Sequence, residues 1–329
     1  MNPEPVNGYK ILNPQMYADV RRLLYGARSV KLQFLLLILC VVFLPLTSAH
    51  GESAPVSITD DFGNKVILKR PAERIITLYG GLTEIVCSLG LGPSLVGCTK
   101  RDDWPQEVRN KPRVGTHMRP NLELILGLRP DLVLQGSSRA EALLTVEQLR
   151  MRGIPVAVFN PVSFSCLFST IERIGILSGR QKDAGKMVEQ IISRLDSISK
   201  KYPQVADRPK VFFEVSYPNL LSAGSLNIVN DIINKAGGEN VVKVSKRLVR
   251  YSFEALLSDA PDVYIIQQGP MNRTITDLSK RPNFGLLPAV RKDRVLVVEE
   301  FLFSRPGPRS VEAVEQLAAY LHSGQEEGS

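Results

Sequence analysis

The 329-residue sequence predicts an α/β protein of two lobes that are joined by one long helix. Short apolar runs alternate with helix-length amphipathic segments in both halves of the chain, which is the pattern of βα units. Between the halves lies the most regular amphipathic stripe of the sequence. Because helix-length crossovers separate the runs, each lobe is expected to contain a parallel sheet. The predicted strands are residues 74–78, 94–98, 131–135, 155–159, 210–215, 262–267 and 293–298.

The N-terminal segment predicts an export signal. An apolar run of 15 residues, 32–46, follows four basic side chains. This run is short for a membrane span, which needs roughly 20 apolar residues. The small residues Thr47-Ser48-Ala49 come next and suit cleavage by a signal peptidase. We therefore expect residues 1–49 to be a signal peptide that is cleaved after Ala49, with an uncleaved membrane anchor as the alternative.

Composition and charge exclude several classes of protein. A content of 44% hydrophobic and 22% charged residues is that of an ordinary folded chain. The formal net charge is +8, and removal of residues 1–49, with five basic and two acidic side chains, leaves +5. This modest excess argues against nucleic acid and suits an anionic ligand or an acidic partner. With three histidines and no G-x-S-x-G or H-E-x-x-H motif, the sequence supports neither a resident metal site nor catalysis.

The cysteines are too few for a disulfide scaffold. The exported part of the chain contains Cys87, Cys98 and Cys166. Their number and spacing favour buried thiols, with a Cys87–Cys98 bridge as the alternative. Cys40 follows a leucine rather than a small residue, so a lipid-modified cysteine is not expected.

The stripe between the halves predicts a helix over about 183–202. Its apolar residues recur at helical spacing from Ala184 to Ile198. A helix of this length is about 30 Å long, enough to cross one lobe and reach the next. The predicted organisation is an N-terminal lobe over residues 50–180, a connecting helix over 181–203, and a C-terminal lobe and tail over 204–329.

Two pairs of similar segments suggest that the lobes arose by duplication. The paired segments are 122–136 (LELILGLRPDLVLQG) with 253–269 (FEALLSDAPDVYIIQQG), and 84–96 with 231–242. Glu123 and Glu254 then occupy equivalent places near the start of a helix. Each could stabilise its helix through the dipole, or the two could form a matched pair that docks on a two-fold partner. The residues alone leave both alternatives open.

Basic and aromatic residues cluster in loops near the ends of the predicted strands. Ligands of open α/β sheets bind beyond the carboxyl ends of the strands. Arginine, histidine, tyrosine and phenylalanine suit an anionic, partly aromatic ligand, through charge-assisted hydrogen bonds and stacking. Solvated surface loops are the alternative. The loop residues are 100–104, 116–119, 217–218, 246–247, 250–251 and 301–309.

Five short motifs are typical of a known family. They are Thr83-Glu84-Ile85, Val114-Gly115 with Pro120-Asn121-Leu122-Glu123, Pro130-Asp131, Gly237-Gly238-Glu239-Asn240, and Arg305-Pro306-Gly307-Pro308-Arg309. Together they resemble the periplasmic binding proteins of metal-chelate ABC importers, which include vitamin B12 and ferric-siderophore binders. The resemblance covers about residues 56–322. It implies two Rossmann-like lobes with parallel sheets, a single rigid connecting helix, and a ligand held in the interlobe cleft.

The resemblance also implies roles for single residues. Glu123 and Glu254 match the two carboxylates that dock on arginines of the permease dimer. His117 stands where relatives place a ligand-contacting Trp or Arg, Arg101 where the B12 binders have a Tyr, and Leu302 where they have a Trp. The chain thus lacks the aromatic set of the B12 proteins, which favours another chelate.

From the residues and the resemblance together, we expect a periplasmic, monomeric solute-binding protein with no enzyme activity and no resident cofactor. Its partners are expected to be an ABC permease dimer with its ATPase subunits and a metal chelate, either an iron–siderophore or a haem-like complex. A corrinoid such as cobalamin is the alternative ligand, and a membrane-anchored sensor is a further alternative. The predicted ligand-binding residues are Tyr79, Arg101, His117, Tyr217, Arg250, Leu302 and Arg305.

Overall fold

The computed structural model describes residues 54–136, 140–203 and 207–323. The predicted signal peptide, residues 1–49, lies outside these ranges. Among the helices of the described residues, none combines the length and the apolar character that a membrane span requires.

The described residues form twelve strands, and seven of them lie at the predicted runs. The other five, β1, β2, β8, β9 and β10 below, are two to four residues long and partly exposed, so they carry no distinct apolar run. The strands are β1 (Val56–Thr59), β2 (Lys65–Leu68), β3 (Ile75–Thr77), β4 (Leu95–Gly97), β5 (Leu132–Gln135), β6 (Val156–Val158), β7 (Lys210–Ser216), β8 (Leu221–Ala223), β9 (Glu239–Asn240), β10 (Leu248–Arg250), β11 (Val263–Gln268) and β12 (Val295–Glu299).

Helices connect most of these strands. In the described residues they are α1 (Gly80–Ser88), α2 (Leu122–Gly127), α3 (Ala140–Met151), α4 (Phe164–Ser178), α5 (Gln181–Lys201), α6 (Ile228–Lys235), α7 (Phe253–Asp259), α8 (Pro288–Arg291), α9 (Glu300–Phe303) and α10 (Ser310–His322). The alternation of strands and helices confirms the predicted α/β class.

The first lobe is built on a four-stranded parallel sheet of order β4-β3-β5-β6. Successive residues of its strands enter different apolar clusters. Ile75 and Leu132 belong to one cluster, and Ile76 and Val133 belong to another. Because side chains alternate between the faces of a sheet, both faces are packed, as is usual for parallel sheets. The hairpin β1-β2 precedes the sheet, and β1 packs on α4.

The second lobe contains a mixed sheet rather than a purely parallel one. Strands β7, β11 and β12 are parallel, and β9 pairs in parallel with the start of β7. Strands β8 and β10 are antiparallel to their neighbours. Only residues 217–220 connect β7 to β8, and a parallel neighbour would need a crossover of a dozen residues or more. The short turn therefore forces the antiparallel pairing.

The parallel strands have the same order in both lobes. The order is β4-β3-β5-β6 in the first lobe and β9-β7-β11-β12 in the second, which is second, first, third, fourth in each case. Helix α2 leads into β5 as α7 leads into β11, so the similar segments 122–136 and 253–269 occupy equivalent places. In both lobes the second strand lies on one side of the first strand, and the third strand lies on the other side. The strand order therefore reverses between the first and third strands. Open α/β sheets bind ligands at such switch points.

One continuous helix, α5, connects the lobes. Its apolar stripe is buried at Ala184, Val188, Ile191 and Ile198, and the helix packs against α4 of the first lobe and α10 of the second. On α5, Arg194 donates from Nε and Nη2 to the two carboxylate oxygens of Glu315 in α10, at 2.9 and 2.7 Å. The predicted connecting helix is therefore confirmed.

The second lobe contains a buried ion pair between Glu214 and Arg281, whose side chains are 0% and 1% exposed. Arg281 Nη2 donates to Glu214 Oε1 at 3.1 Å, and Asn272 Nδ2 donates to the same oxygen at 3.1 Å. Tyr264 donates from its hydroxyl to Glu214 Oε2 at 2.6 Å. Burial, together with the Glu214 carboxylate, raises the pKa of Tyr264 well above its usual value. Both oxygens of Glu214 are thus paired with donors, which makes the burial of its charge tolerable.

Replacement of Arg281 by Met is expected to destabilise the protein by roughly 3–5 kcal/mol, because it leaves the Glu214 carboxylate buried without its counter-ion. Chemical denaturation followed by circular dichroism measures this loss. The control is Arg180→Met, which removes a half-exposed ion pair with Asp183 and is expected to cost about 0–1 kcal/mol. Equal losses in the two variants would contradict the structural importance of the buried pair.

Candidate functional site

A cleft of about 590 Å³ lies between the lobes, where the carboxyl ends of strands from both sheets meet. A larger groove of about 910 Å³ runs along α5, but it lies away from the strand ends, so the cleft is the candidate site. The first lobe lines the cleft with Tyr79, Gly80, Thr99, Arg101, Asp102, Thr116, His117, Met118 and Gly136. The second lobe lines it with Val215, Asn227, Arg247, Leu248, Pro270, Met271, Glu300, Ser304 and Arg305.

Tyr79 lies at the switch point of the first sheet, after β3 and beside the end of β5. A side chain at Gly136 would collide with the Tyr79 side chain, so the glycine allows the tyrosine to lie against the strand end. The rings of Tyr79 and His117 meet edge to face, with centroids 6.0 Å apart. Buried Gln135, at the end of β5, donates from Nε2 to the backbone carbonyl of His117 at 3.1 Å. The strand end thus positions both rings.

A buried carboxylate fixes the loop that carries Arg101 into the cleft. Asp102 is 2% exposed. Its Oδ2 accepts hydrogen bonds from Thr83 Oγ1 at 2.8 Å and from the Thr99 backbone N–H at 2.9 Å, and its Oδ1 accepts one from Thr99 Oγ1 at 2.7 Å. Arg113 Nη1 donates to the carbonyl oxygen of Thr99 at 2.9 Å. These bonds hold the loop in place without using the Arg101 guanidinium.

Three arginines from the two lobes give the cleft its positive charge. Arg305 Nη1 donates to the carbonyl of Arg101 at 3.3 Å, and its guanidinium carbon lies 3.5 Å from the ring centroid of Phe301. Arg247 Nη2 lies 3.5 Å from the hydroxyl oxygen of Tyr79, across the cleft. Within the described residues, none of the three guanidinium groups forms an ion pair with a carboxylate. They are therefore available to an anionic ligand.

The second lobe forms the other wall from polar and sulfur-containing groups. Glu300 is 8% exposed, and its Oε2 accepts a hydrogen bond from the Met271 backbone N–H at 2.8 Å. Ser304 donates from its hydroxyl to Oε1 of buried Gln267. Met271 faces the cleft from this lobe as Met118 does from the other. Flexible, polarisable methionines adapt well to a large apolar ligand surface.

The structure places four of the seven predicted ligand residues, Tyr79, Arg101, His117 and Arg305, in the cleft lining. Tyr217, Arg250 and Leu302 are not among the lining residues. Tyr217 packs against the guanidinium of Arg281, 3.9 Å from its ring centroid, and edge-on against Phe284. Leu302 packs against the main apolar core. Arg250 is exposed on β10.

Other lining residues were not predicted as ligand contacts. Met118 and Arg247 belong to the predicted loop cluster, in which the grouping of basic with aromatic residues was the signal for Arg247. Asn227 caps α6 by accepting from the Val229 N–H at 3.1 Å, and it donates from Nδ2 to the Arg247 carbonyl at 3.0 Å. Nothing in the local sequence distinguishes Asn227 or Met271 from ordinary loop residues.

Glu123 and Glu254 lie at equivalent positions in the first turns of α2 and α7, and both are exposed. Separate residues cap the two helices. Asn121 Oδ1 accepts from the Leu124 N–H at 3.0 Å, and Ser252 Oγ accepts from the Ala255 N–H at 3.1 Å. Within the described residues, neither glutamate forms a side-chain hydrogen bond or an ion pair. The caps therefore do not depend on the glutamates.

The three described cysteines are free thiols, so Cys87 and Cys98 do not form a bridge in this structure. Burial, with a smaller contribution from a hydrogen bond to Glu107, raises the pKa of Cys87 to about 12. Burial also raises the pKa of Cys98 to about 11. Thiols with such pKa values stay protonated near neutral pH and are poor nucleophiles.

An interlobe ion pair lies beside the cleft. Glu84 of α1 is 7% exposed and accepts hydrogen bonds from the Arg309 backbone N–H at 2.9 Å and from its Nε at 3.1 Å. Next to this pair, a side chain at Gly81 would collide with the backbone carbonyl of Pro306. Burial raises the pKa of Glu84, although Arg309 opposes the shift. Carboxylate and arginine thus tie α1 to the segment that precedes α10.

The raised pKa of Glu84 predicts a specific pH dependence of stability. The folded protein binds this proton more tightly than the unfolded chain, so stability is lost as pH rises from the unfolded value of 4.5 through the folded pKa. We expect the unfolding free energy of the wild type, minus that of Glu84→Gln, to fall over this pH range. Denaturant titrations at a series of pH values measure the difference, with Glu141→Gln at an exposed position as control. A difference that rises with pH would contradict the prediction.

Comparisons with known proteins agree with this architecture. The family model for periplasmic binding proteins matches residues 75–300. The uncharacterized ABC transporter substrate-binding lipoprotein YvrC of Bacillus subtilis (strain 168) is 33% identical over 276 residues, which cover 82% of this chain and 87% of the relative.

Two solved structures are also similar over most of the chain. One is described as "a possible an iron-binding (periplasmic solute-binding) protein" from Staphylococcus epidermidis; it has a TM-score of 0.67 and 29% identity, with 77% of this chain and 100% of that chain covered. The other is the periplasmic vitamin B12 binding protein BtuF of Vibrio cholerae, with a TM-score of 0.67, 25% identity, and 78% and 99% coverage. The extent of these matches shows that the chain belongs to the periplasmic binding protein family, together with substrate-binding proteins of ABC transporters.

Proposed function

We propose that the protein is the solute-binding component of an ABC importer that captures an anionic metal chelate, of the iron–siderophore or haem-like type, and delivers it to the permease. The observation that carries the proposal is the set of three arginines, Arg101, Arg247 and Arg305, that line the cleft from both lobes without a carboxylate partner among the described residues. Family membership and the predicted signal peptide support action in the periplasm. The function is binding and delivery rather than catalysis, in keeping with the substrate-binding relatives.

The chemistry of the cleft suits a chelate better than a bare ion. The described residues contain no cluster of three or more histidine, cysteine, aspartate or glutamate side chains arranged to hold a metal. The lining offers arginines for carboxylate or phenolate oxygens, the rings of Tyr79 and His117, and the thioethers of Met118 and Met271. A ligand that presents an anionic rim and an apolar or aromatic body can use all of these groups.

A corrinoid is the second candidate, because a relative with a similar fold binds vitamin B12. The corrin periphery carries neutral amides, which can accept hydrogen bonds from arginine but do not neutralise three guanidinium groups. The arginines therefore favour the anionic chelate over cobalamin. A measurement of ligand affinity in arginine variants separates the two candidates.

Replacement of Arg247 or Arg305 by Gln is expected to weaken binding of an anionic chelate. Loss of one charge-assisted hydrogen bond costs roughly 1.5–3 kcal/mol, which raises the Kd about 10- to 100-fold. Haem and a ferric catecholate serve as anionic probes, a ferric hydroxamate as an uncharged ferric chelate, and cobalamin as the corrinoid. Quenching of Trp104, the single tryptophan of the chain, measures binding, because its ring lies beside the cleft against Arg309.

The matched control is Arg250→Gln, which removes an exposed arginine outside the cleft lining and is expected to keep the wild-type affinity. If none of the ferric and haem probes binds at micromolar concentration, the proposed ligand class is wrong. Cobalamin binding that is unaffected in both cleft variants would favour the corrinoid instead.

Delivery requires docking on the permease, and we propose that Glu123 and Glu254 provide it. Both carboxylates are exposed, both are without an ion-pair partner in the described residues, and the capping of their helices depends on Asn121 and Ser252. The same strand order in the two lobes gives the glutamates equivalent places in two similar folds. A repeated pair of carboxylates suits a permease dimer whose two subunits each present a basic group.

The double variant Glu123→Gln, Glu254→Gln is expected to fold, to bind its chelate normally, and yet to fail in stimulating the ATPase of the importer. Reversal of both charges with Lys is expected to be worse, because the lysines repel the basic groups of the permease. ATPase activity of the permease complex in lipid nanodiscs, with purified binding protein added, measures docking.

The control is the double variant Glu172→Lys, Glu312→Lys, which reverses two exposed carboxylates, one in each lobe, away from α2 and α7. It is expected to stimulate the ATPase as the wild type does. Normal stimulation by Glu123→Lys, Glu254→Lys would overturn the docking assignment.

A further inference from the structure

The two docking glutamates are each preceded, four residues earlier, by an exposed arginine. Arg119 precedes Glu123, and Arg250 precedes Glu254. Each arginine lies two residues before the helix cap, and each glutamate lies two residues after it, with Asn121 and Ser252 as the caps. The spacing of arginine, cap and glutamate is therefore identical in the two lobes, although the intervening residues differ.

Neither arginine has a role inside the protein that accounts for its presence. Neither lines the cleft, and within the described residues neither guanidinium forms a hydrogen bond, an ion pair or a cation–π contact. Positive charge near the N-terminal end of a helix is not stabilising, because the helix dipole favours negative charge there. The helices therefore gain from the glutamates but not from the arginines.

The backbone holds both arginines in defined places. Arg119 lies in a tight turn, where its N–H donates to Thr116 Oγ1 at 3.1 Å and its carbonyl accepts from the Thr116 N–H at 3.2 Å. Arg250 is the last residue of β10 and pairs with Leu221 of β8. Two different local structures thus hold an exposed arginine at the same sequence distance from its glutamate.

We infer that Arg119 and Arg250 belong to the permease-docking surface, and that each lobe presents a cation and an anion at a fixed spacing to a two-fold partner. This inference rests on the docking function proposed above for Glu123 and Glu254. The partner is a permease dimer in which each subunit offers an acidic group to the arginine beside the basic group that meets the glutamate. A pair of opposite charges fixes the register of the contact, which two glutamates alone do not.

Exposed apolar residues accompany the charges on both helices. Leu124, next to Glu123, is 51% exposed, and Leu257, one turn after Glu254, is 37% exposed. Interfaces commonly surround apolar contacts with a polar and charged rim. Each docking helix thus carries an exposed leucine together with its glutamate, and the arginine lies just before the helix.

The test is the double variant Arg119→Glu, Arg250→Glu, assayed against the permease complex in lipid nanodiscs. The Kd for docking is expected to rise roughly tenfold or more, because each reversed charge would face an acidic group. The dependence of the Kd on salt should also become weaker than in the wild type. Haem and ferric-siderophore affinity, measured through Trp104, is expected to stay unchanged. The double Gln variant, which removes the charges without reversing them, is expected to show a smaller loss and serves if the Glu variant does not fold.

The matched control is Arg152→Glu, Arg291→Glu, which makes the same change of net charge at one exposed arginine in each lobe and is expected to dock normally. Normal docking by the Arg119 and Arg250 variants, while Glu123→Lys, Glu254→Lys fails to dock, would overturn this inference and leave the proposed function intact. Normal docking by all of these variants would overturn both. Loss of chelate affinity with docking retained would assign the arginines to the ligand and overturn the inference.

Discussion

The cleft lies where it does because the backbone carbonyl of Pro306 rests on Gly81, a position that admits no side chain. This contact brings the start of α1 against the segment that follows α9. Three residues further on, Arg309 reaches Glu84 and ties the same two segments by an interlobe ion pair. Helix α5 joins the lobes elsewhere through its packing on α4 and α10. With the lobes held in this way, the carboxyl ends of their sheets face one another and enclose the ligand space.

The sequence predicted the strands well where they are buried on both faces, because such strands are continuous apolar runs. Strands β3, β5, β6, β7 and β11 are of this kind. The sequence did not predict β8 and β10, because these strands are short and partly exposed. Nor did it predict their antiparallel pairing, because the pairing depends on the length of one turn, residues 217–220. The internal repeat was readable because duplicated segments keep the same order of helix, Pro-Asp and strand. Local sequence patterns therefore predicted the central parallel strands of each lobe, but not the antiparallel strands β8 and β10 at the edge of the second sheet.

Prediction of the site was limited by distance along the chain. Tyr79 could be found because it follows a strand at a switch point, and Arg305 because it belongs to the basic and aromatic loop after the last strand. Tyr217 also follows a strand. Its ring, however, packs against the guanidinium of Arg281, 64 positions later in the chain, inside the second lobe rather than at the cleft. Arg250 carries the same charge as Arg247, three residues before it, yet only Arg247 lies at the cleft. Such choices depend on tertiary packing, which a single sequence does not reveal.

In the lining of the cleft, the carboxylates are buried and the arginines are not, and this difference explains how the cleft keeps its positive charge. Two carboxylates, Asp102 and Glu300, also line it, and both are buried and bonded to protein donors. Their hydrogen bonds fix the loops that carry the lining residues. Since neither forms an ion pair with Arg101, Arg247 or Arg305, the three guanidinium groups stay available to an anionic ligand. Carboxylates and unpaired guanidinium groups can thus line the same cleft, because hydrogen bonds from Thr83, Thr99 and the Met271 amide stabilise the negative charge locally.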